Sequence, residues 1–139
     1  MNISDRDRKF LWTRAGSRCS YNYGGKKCSA KLLTHIDGRL TATGDECCIV
    51  GETLKDARYI DAFPERFTYY NLILMCKEHH KLTDSDPKVY TVKMLHEMKD
   101  KHEAAVEKEA KKDAYTPPVR ANDDELIKAV KRAQREAGI

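Results

Sequence analysis

The chain has 139 residues and a mass of 16.0 kDa, with 40 % apolar and 35 % charged residues. That is room for one domain with a modest core, which a metal clip or a partner helps to hold together. The formal net charge of +4 fits a polyanionic partner without requiring one, and no apolar run approaches the roughly 18 residues of a membrane span. The opening MNISDRDRKF lacks the apolar stretch of a signal peptide, so a soluble, cytoplasmic protein is expected. Five cysteines in such a setting read as metal ligands or buried thiols rather than as a disulfide framework.

Ser4 is placed to cap a first helix over about residues 5 to 15, with Asp7 at the capping-box position and Gly16 as the stop. Ser17 to Lys31, rich in Gly, Ser and Lys, reads as a loop that carries Cys19 and Cys28. Residues 39 to 51 predict a hairpin around a Gly44–Asp45 turn, and residues 52 to 70 an irregular excursion. NLILMC (71–76) is a short apolar run, strand or buried turn, and KEHHKLTD a brief helix. Asp84 to Pro87 is a turn. Thr91 then caps a long helix over about 92 to 112, with Val92, Leu95, Met98, Ala105 and Val106 close to one stripe. His96 and His102 on that helix are expected to be partly exposed.

After Pro117 and Pro118, Asn122 opens a final amphipathic helix over about 123 to 137, stopped by Gly138. The organisation expected is therefore a domain over 1–112, a linker over 113–120, and a C-terminal helix within 121–139. The helix stripe of Leu126, Val130, Ala133 and Ala137 is expected to be covered by a second chain or by a downstream domain.

Cys76 and His79 are two residues apart, the spacing of one knuckle of a tetrahedral zinc site. Cys19 and Cys28 would supply the other half, at a separation wide for a tight knuckle. Ordinary loop thiols are the plainer alternative for that pair. A Cys–Cys–Cys–His site would pin the N-terminal loop to the centre of the domain and stabilise it.

RAGSRCSY, GDECCIVGE, ARY, YYNLILMCKEHHKLTD and YTVKMLHEMKDKHE occur in that order over about residues 10 to 103. In this the chain resembles the HNH endonucleases, the ββα-metal nucleases, and in particular bacterial HNH effector domains of anti-phage and restriction systems. The resemblance implies an α+β fold, with a ββα-metal core, a structural zinc and flanking helices. It implies hydrolysis of DNA phosphodiester bonds with Mg²⁺ or another divalent metal. Asn71 matches the family asparagine, which binds the metal or orients the site. His80 matches the last histidine, a ligand of the catalytic metal. Cys76 and His79 match the second zinc pair, with Cys19 and Cys28 completing the site.

The first histidine of the family, its general base, falls on Cys48 in Glu46-Cys47-Cys48-Ile49-Val50. A thiol there predicts impaired water activation, because general-base catalysis contributes about 10²–10⁴-fold. The expected function is thus a weak or silent DNA endonuclease. The alternative is a degenerate HNH module that binds DNA or a partner protein, and a structural zinc-knuckle adaptor is a weaker third. Arg39, Lys55 and Arg58 are candidate phosphate contacts, giving affinity without base specificity. Cys47, on the other face of a strand from Cys48, is expected to be a buried thiol or a neighbour of the metal site. His35 is the remaining upstream histidine, and a solvent-exposed turn is its expected setting.

Overall fold

A computed structural model describes residues 2–111 and 123–136. Helix α1 (Asp5–Arg14) starts at Ser4, whose side chain accepts the Asp7 N–H, and buries Arg8, Leu11 and Trp12. Two very short strands follow, β1 (Asn22–Tyr23) and β2 (Lys26–Lys27), paired antiparallel. The expected Ser17–Lys31 loop is therefore a small hairpin. Gly24 and Gly25 make its turn with φ of +59° and +81°, a conformation that costs glycine little.

Strand β3 (Leu33–Ile36) pairs with β4 (Arg39–Ala42) across Asp37–Gly38. Strand β5 (Gly44–Cys48) pairs instead with β6 (Leu72–Cys76), Gly44 opposite Cys76 and Cys48 opposite Leu72. The expected Gly44–Asp45 hairpin turn is corrected accordingly: those residues begin a strand whose partner lies far along the chain. Asp37–Gly38, both at positive φ, supply the tight turn instead. Between β5 and β6 the irregular excursion is as expected, closing in a short 3₁₀ turn at Tyr69–Asn71.

Leu72 to Met75 are all buried, an unbroken run rather than an alternation. The reason is that α1 and α2 (Lys77–Ser85) both pack on β6, so neither face meets water. Helix α3 (Val92–Ala110) is capped by Thr91 and adds Leu95, Met98 and Val106 to the core. His102, expected to be partly exposed, is buried, and its Nε2 meets the Ala15 carbonyl oxygen at 2.8 Å. It ties α3 to the end of α1. His96 is half-buried, and His35 is exposed on β3.

Helix α4 (Asp123–Glu136) packs on β4 and α1, and Leu126, Ala129 and Val130 are buried there. This corrects the expectation that its stripe awaits a second chain or another domain. Polar bonds explain the docking as well as apolar burial. Gln134 Nε2 donates to Glu46 Oε1 at 2.9 Å, and Arg132 Nη1 to the Leu40 carbonyl at 3.2 Å. Glu46 itself, buried on β5, accepts two bonds from Arg8 at 2.8 Å and one from Trp12 Nε1 at 2.9 Å. A buried carboxylate this fully satisfied is stable only while each partner remains. The expected linker over 113–120, Asn122, Ala137 and Gly138 lie outside the described residues. The architecture among the described residues is mixed α/β, with four α-helices around small antiparallel sheets. Among the described residues no helix is long and apolar enough to cross a membrane.

Candidate metal centre and the residues around it

Cys19, Cys28, Cys76 and His79 come together, with one donor atom from each all within 4.8 Å of one another. Three local features bring them there. The Ser20 N–H donates to the Leu74 carbonyl at 2.8 Å, fastening the Cys19 loop directly to β6. The β1–β2 hairpin then doubles the chain back, and the Cys28 N–H reaches the Tyr21 carbonyl at 3.0 Å. Finally, Cys76 is the N-cap of α2, with its Sγ accepting the His79 N–H at 3.5 Å. The nine-residue step from Cys19 to Cys28 is thus spanned by a hairpin, not by a tight knuckle.

His79 Nδ1 lies 3.2 Å from Cys76 Sγ and 3.8 Å from Cys19 Sγ. Donors on a tetrahedral zinc stand roughly 3.5–3.8 Å apart, given bonds of about 2.0–2.3 Å. Three thiols and an imidazole at this spacing fit a soft or borderline divalent cation. Burial raises the Cys19 thiol above its ordinary range, as expected for a desolvated group. Beside the cluster, the Tyr21 ring stacks on the His79 imidazole, 3.9 Å between centroids and 1° between planes. Tyr21 is buried, its phenol pushed up to about 12 by that burial, and its hydroxyl lies 2.8 Å from that of Tyr90.

His80, the next residue along α2, points elsewhere. Its Nδ1 stands 2.8 Å from Asp45 Oδ2 and its Nε2 3.0 Å from Asp84 Oδ2. Hydrogen bonds to Asp45 and then to Asp84 push its pKa up to about 12, so the ring is an imidazolium at neutral pH. Reciprocally, His80 lowers the Asp45 carboxyl. Burial opposes ionisation at Asp84, but His80 and Arg58 outweigh it and lower that carboxyl too. Cys47 is buried against this group, where desolvation raises its thiol and His80 opposes the rise. The two carboxylates engage opposite ring nitrogens and do not converge on one point. This arrangement does not fit a catalytic Mg²⁺ held by His80.

Strand alternation separates the two cysteines of β5. Asp45 and Cys47 face α2, whereas Glu46 faces α1 and Cys48 the excursion. Cys48 Sγ meets the Arg66 carbonyl at 3.9 Å, and burial pushes its thiol up to about 11. At pH 7 only about 10⁻⁴ of it is thiolate, so it is a poor proton acceptor. Asn71, which is 1 % exposed, donates to that same Arg66 carbonyl at 2.8 Å. It also accepts the Val50 N–H at 2.9 Å and donates to the Val50 carbonyl at 3.1 Å. The structure therefore brings Asn71 and Cys48 to one carbonyl and holds His80 on the other face of β5.

Of the expected phosphate contacts, Lys55 is exposed, and Arg39 is exposed but 3.3 Å from Glu136. Arg58 is corrected: its side chain is 4 % exposed and it is an internal clamp. It donates to the carbonyls of Ile49, Thr83 and Tyr90 and to Asp84, at 2.6–3.2 Å. Those bonds hold its backbone at a φ of +61°, a conformation costing about 1–3 kcal/mol for a residue other than glycine. Asp45, Asp84 and Tyr21 lie inside the stretches GDECCIVGE, KEHHKLTD and RAGSRCSY, but the sequence alone assigns them no role. The i,i+4 spacing of His80 and Asp84 on a helix is the one local signal among them. No family model matches the chain, and no curated protein matches it.

Proposed function

We propose that the chain is an HNH-like module, built on a Cys₃His metal centre, that binds DNA and has lost efficient hydrolysis. The β5–β6 pair running straight into α2, with Cys76 and His79 at the junction, supports the ββα-metal reading of the core. A zinc ion held by Cys19, Cys28, Cys76 and His79 would fasten the N-terminal loop to that junction and add folding free energy. Exposed Lys26, Lys27 and Lys55, with the net charge of +4, favour a polyanion over a neutral partner.

The observation that carries the loss of hydrolysis is the state of Cys48. Its neutral thiol, at the position the HNH resemblance gives to the water-activating base, bonds a backbone carbonyl. His80 compounds this, because Asp45 and Asp84 occupy both its nitrogens. A second reading, an endonuclease stopped by one residue, is favoured by Asn71, whose bonds to Val50 and Arg66 leave the loop around position 48 ordered.

A plasmid-cleavage assay in Mg²⁺, Mn²⁺ or Ni²⁺ decides between them, alongside fluorescence anisotropy on a labelled duplex. Salt-sensitive binding without cleavage, by both the unmodified chain and Cys48→His, is the expected result. A gain of about 10²–10⁴-fold in cleavage by Cys48→His establishes the second reading. Absence of duplex binding at low salt refutes the DNA partner.

A further inference from the structure

Three of the four candidate ligands are thiols and one is an imidazole, and the four are not held alike. Cys19 and Cys28 are set by backbone bonds to Ala30 and Tyr21, and Cys76 by its N-cap position. His79 hangs on α2 by a side chain with two rotatable bonds, so its ring needs a separate constraint. That constraint is Tyr21. Its ring stacks on one face of the imidazole, 3.9 Å between centroids and within 1° of parallel. The ring that does the covering is itself immobilised. Tyr21 and Tyr90 are both buried, their hydroxyls are 2.8 Å apart, and the Tyr90 carbonyl accepts Arg58 Nη1 at 3.2 Å.

We propose that Tyr21 is a positioning residue of the metal centre, holding the His79 imidazole in the plane that turns Nδ1 toward the Cys19 and Cys76 sulfurs. This rests on the metal-centre reading above. The physical ground is that imidazole is the one neutral ligand of the set, and rotation about its side-chain bonds is the easiest way for a ligand to leave the ion. A stacked ring of fixed position blocks that rotation without touching the metal. Groups that orient a ligand from outside the coordination sphere typically change metal affinity by about 10–100-fold when removed. Tyr21 has a further link to the site, since its own carbonyl accepts the Cys28 N–H at 3.0 Å. A side-chain substitution leaves that bond in place, which separates the effect of the ring from that of the loop.

The test uses the full chain loaded with Zn²⁺ or with Co²⁺, whose visible absorption reports the geometry of a sulfur- and nitrogen-ligated ion. Metal transfer to a chromophoric chelator is followed for the unmodified chain, Tyr21→Phe and Tyr21→Leu. Tyr21→Leu is expected to weaken metal binding about 10–100-fold, to speed transfer, and to alter the cobalt spectrum. Tyr21→Phe, which keeps the stack and loses only the hydroxyl bond, should restore the unmodified spectrum. Where Tyr21→Leu does not fold, Tyr21→Met fills the same space with a flexible side chain and carries the same expectation. An unmodified cobalt spectrum and transfer rate in the variant lacking the ring overturn this proposal alone. An unmodified chain that takes up neither ion overturns the metal-centre reading, and this proposal with it.

Discussion

The two ends of the β5–β6 ladder are built on opposite plans. At the Gly44–Cys76 end, residues from three separate stretches bring four soft donors together, and each has an atom facing the others. At the Cys48–Leu72 end, the polar groups are turned onto the backbone: Asn71 clamps Val50 and Arg66, and Cys48 bonds Arg66. Arg66 in turn donates to the carbonyls of Gly51 and Ile60, closing the excursion on itself. One end gathers side-chain atoms suited to a cation, and the other spends its polar groups on its own backbone. The lesson is that motif letters alone do not separate a residue that faces a ligand from one consumed by its own loop.

The largest effect should come from breaking the ligand end. Cys76→Ser removes both a donor and the sulfur that accepts the His79 N–H, and zinc binding in small domains is folding free energy. Metal content near zero and a collapsed or absent melting transition by circular dichroism are expected. A metal-free variant that melts like the unmodified chain would show that this end is held by packing alone.

Between the ends, Glu46 in the middle of β5 joins α1 and α4 through Arg8, Trp12 and Gln134. Arg8→Ala strands a buried carboxylate and should cost about 3–5 kcal/mol in denaturant unfolding. A loss under about 1 kcal/mol would mean that Trp12 and Gln134 suffice to satisfy it. At the closed end, Asn71→Ala leaves the buried Val50 N–H and carbonyl unmatched and the Arg66 carbonyl with the Cys48 thiol, and should cost about 1–3 kcal/mol, with metal content unchanged. If metal content falls with it, the two ends are coupled and the contrast drawn between them is too sharp.

The smallest effect is one of pH. Burial lowers the pKa of His102, so the unfolded chain binds the proton that the folded chain excludes. Its contribution is therefore fully present above the ordinary histidine value of about 6.5 and is lost as pH falls through the window below it. His102→Gln keeps a donor for the Ala15 carbonyl and should flatten that part of the stability profile relative to the unmodified chain. Identical acid limbs in the two proteins would show that His102 does not carry the proton uptake.

Local features of the sequence were sufficient for a good part of this. The caps at Ser4 and Thr91, the helices they start, and the Cys76–His79 step all depend on neighbours within one turn, so spacing alone decides them. The odd cysteine count and small core already argued for a metal clip, and the cluster of Cys19, Cys28, Cys76 and His79 fits one. Tertiary structure decided what spacing could not reach. Periodicity cannot tell β5 that its partner lies beyond a long excursion, because a strand's face is set by its alternation and its partner by the whole chain. The same pairing put Cys47 rather than Cys48 against His80 and supplied Asp45 as its neighbour. Charge could not show that Arg58 is an internal clamp, since guanidinium serves a phosphate or three backbone carbonyls and a carboxylate with the same donors. Nor could an amphipathic stripe name what covers it: α4 found β4 and α1 because Glu46 and Leu40 offered acceptors where its apolar face came to rest.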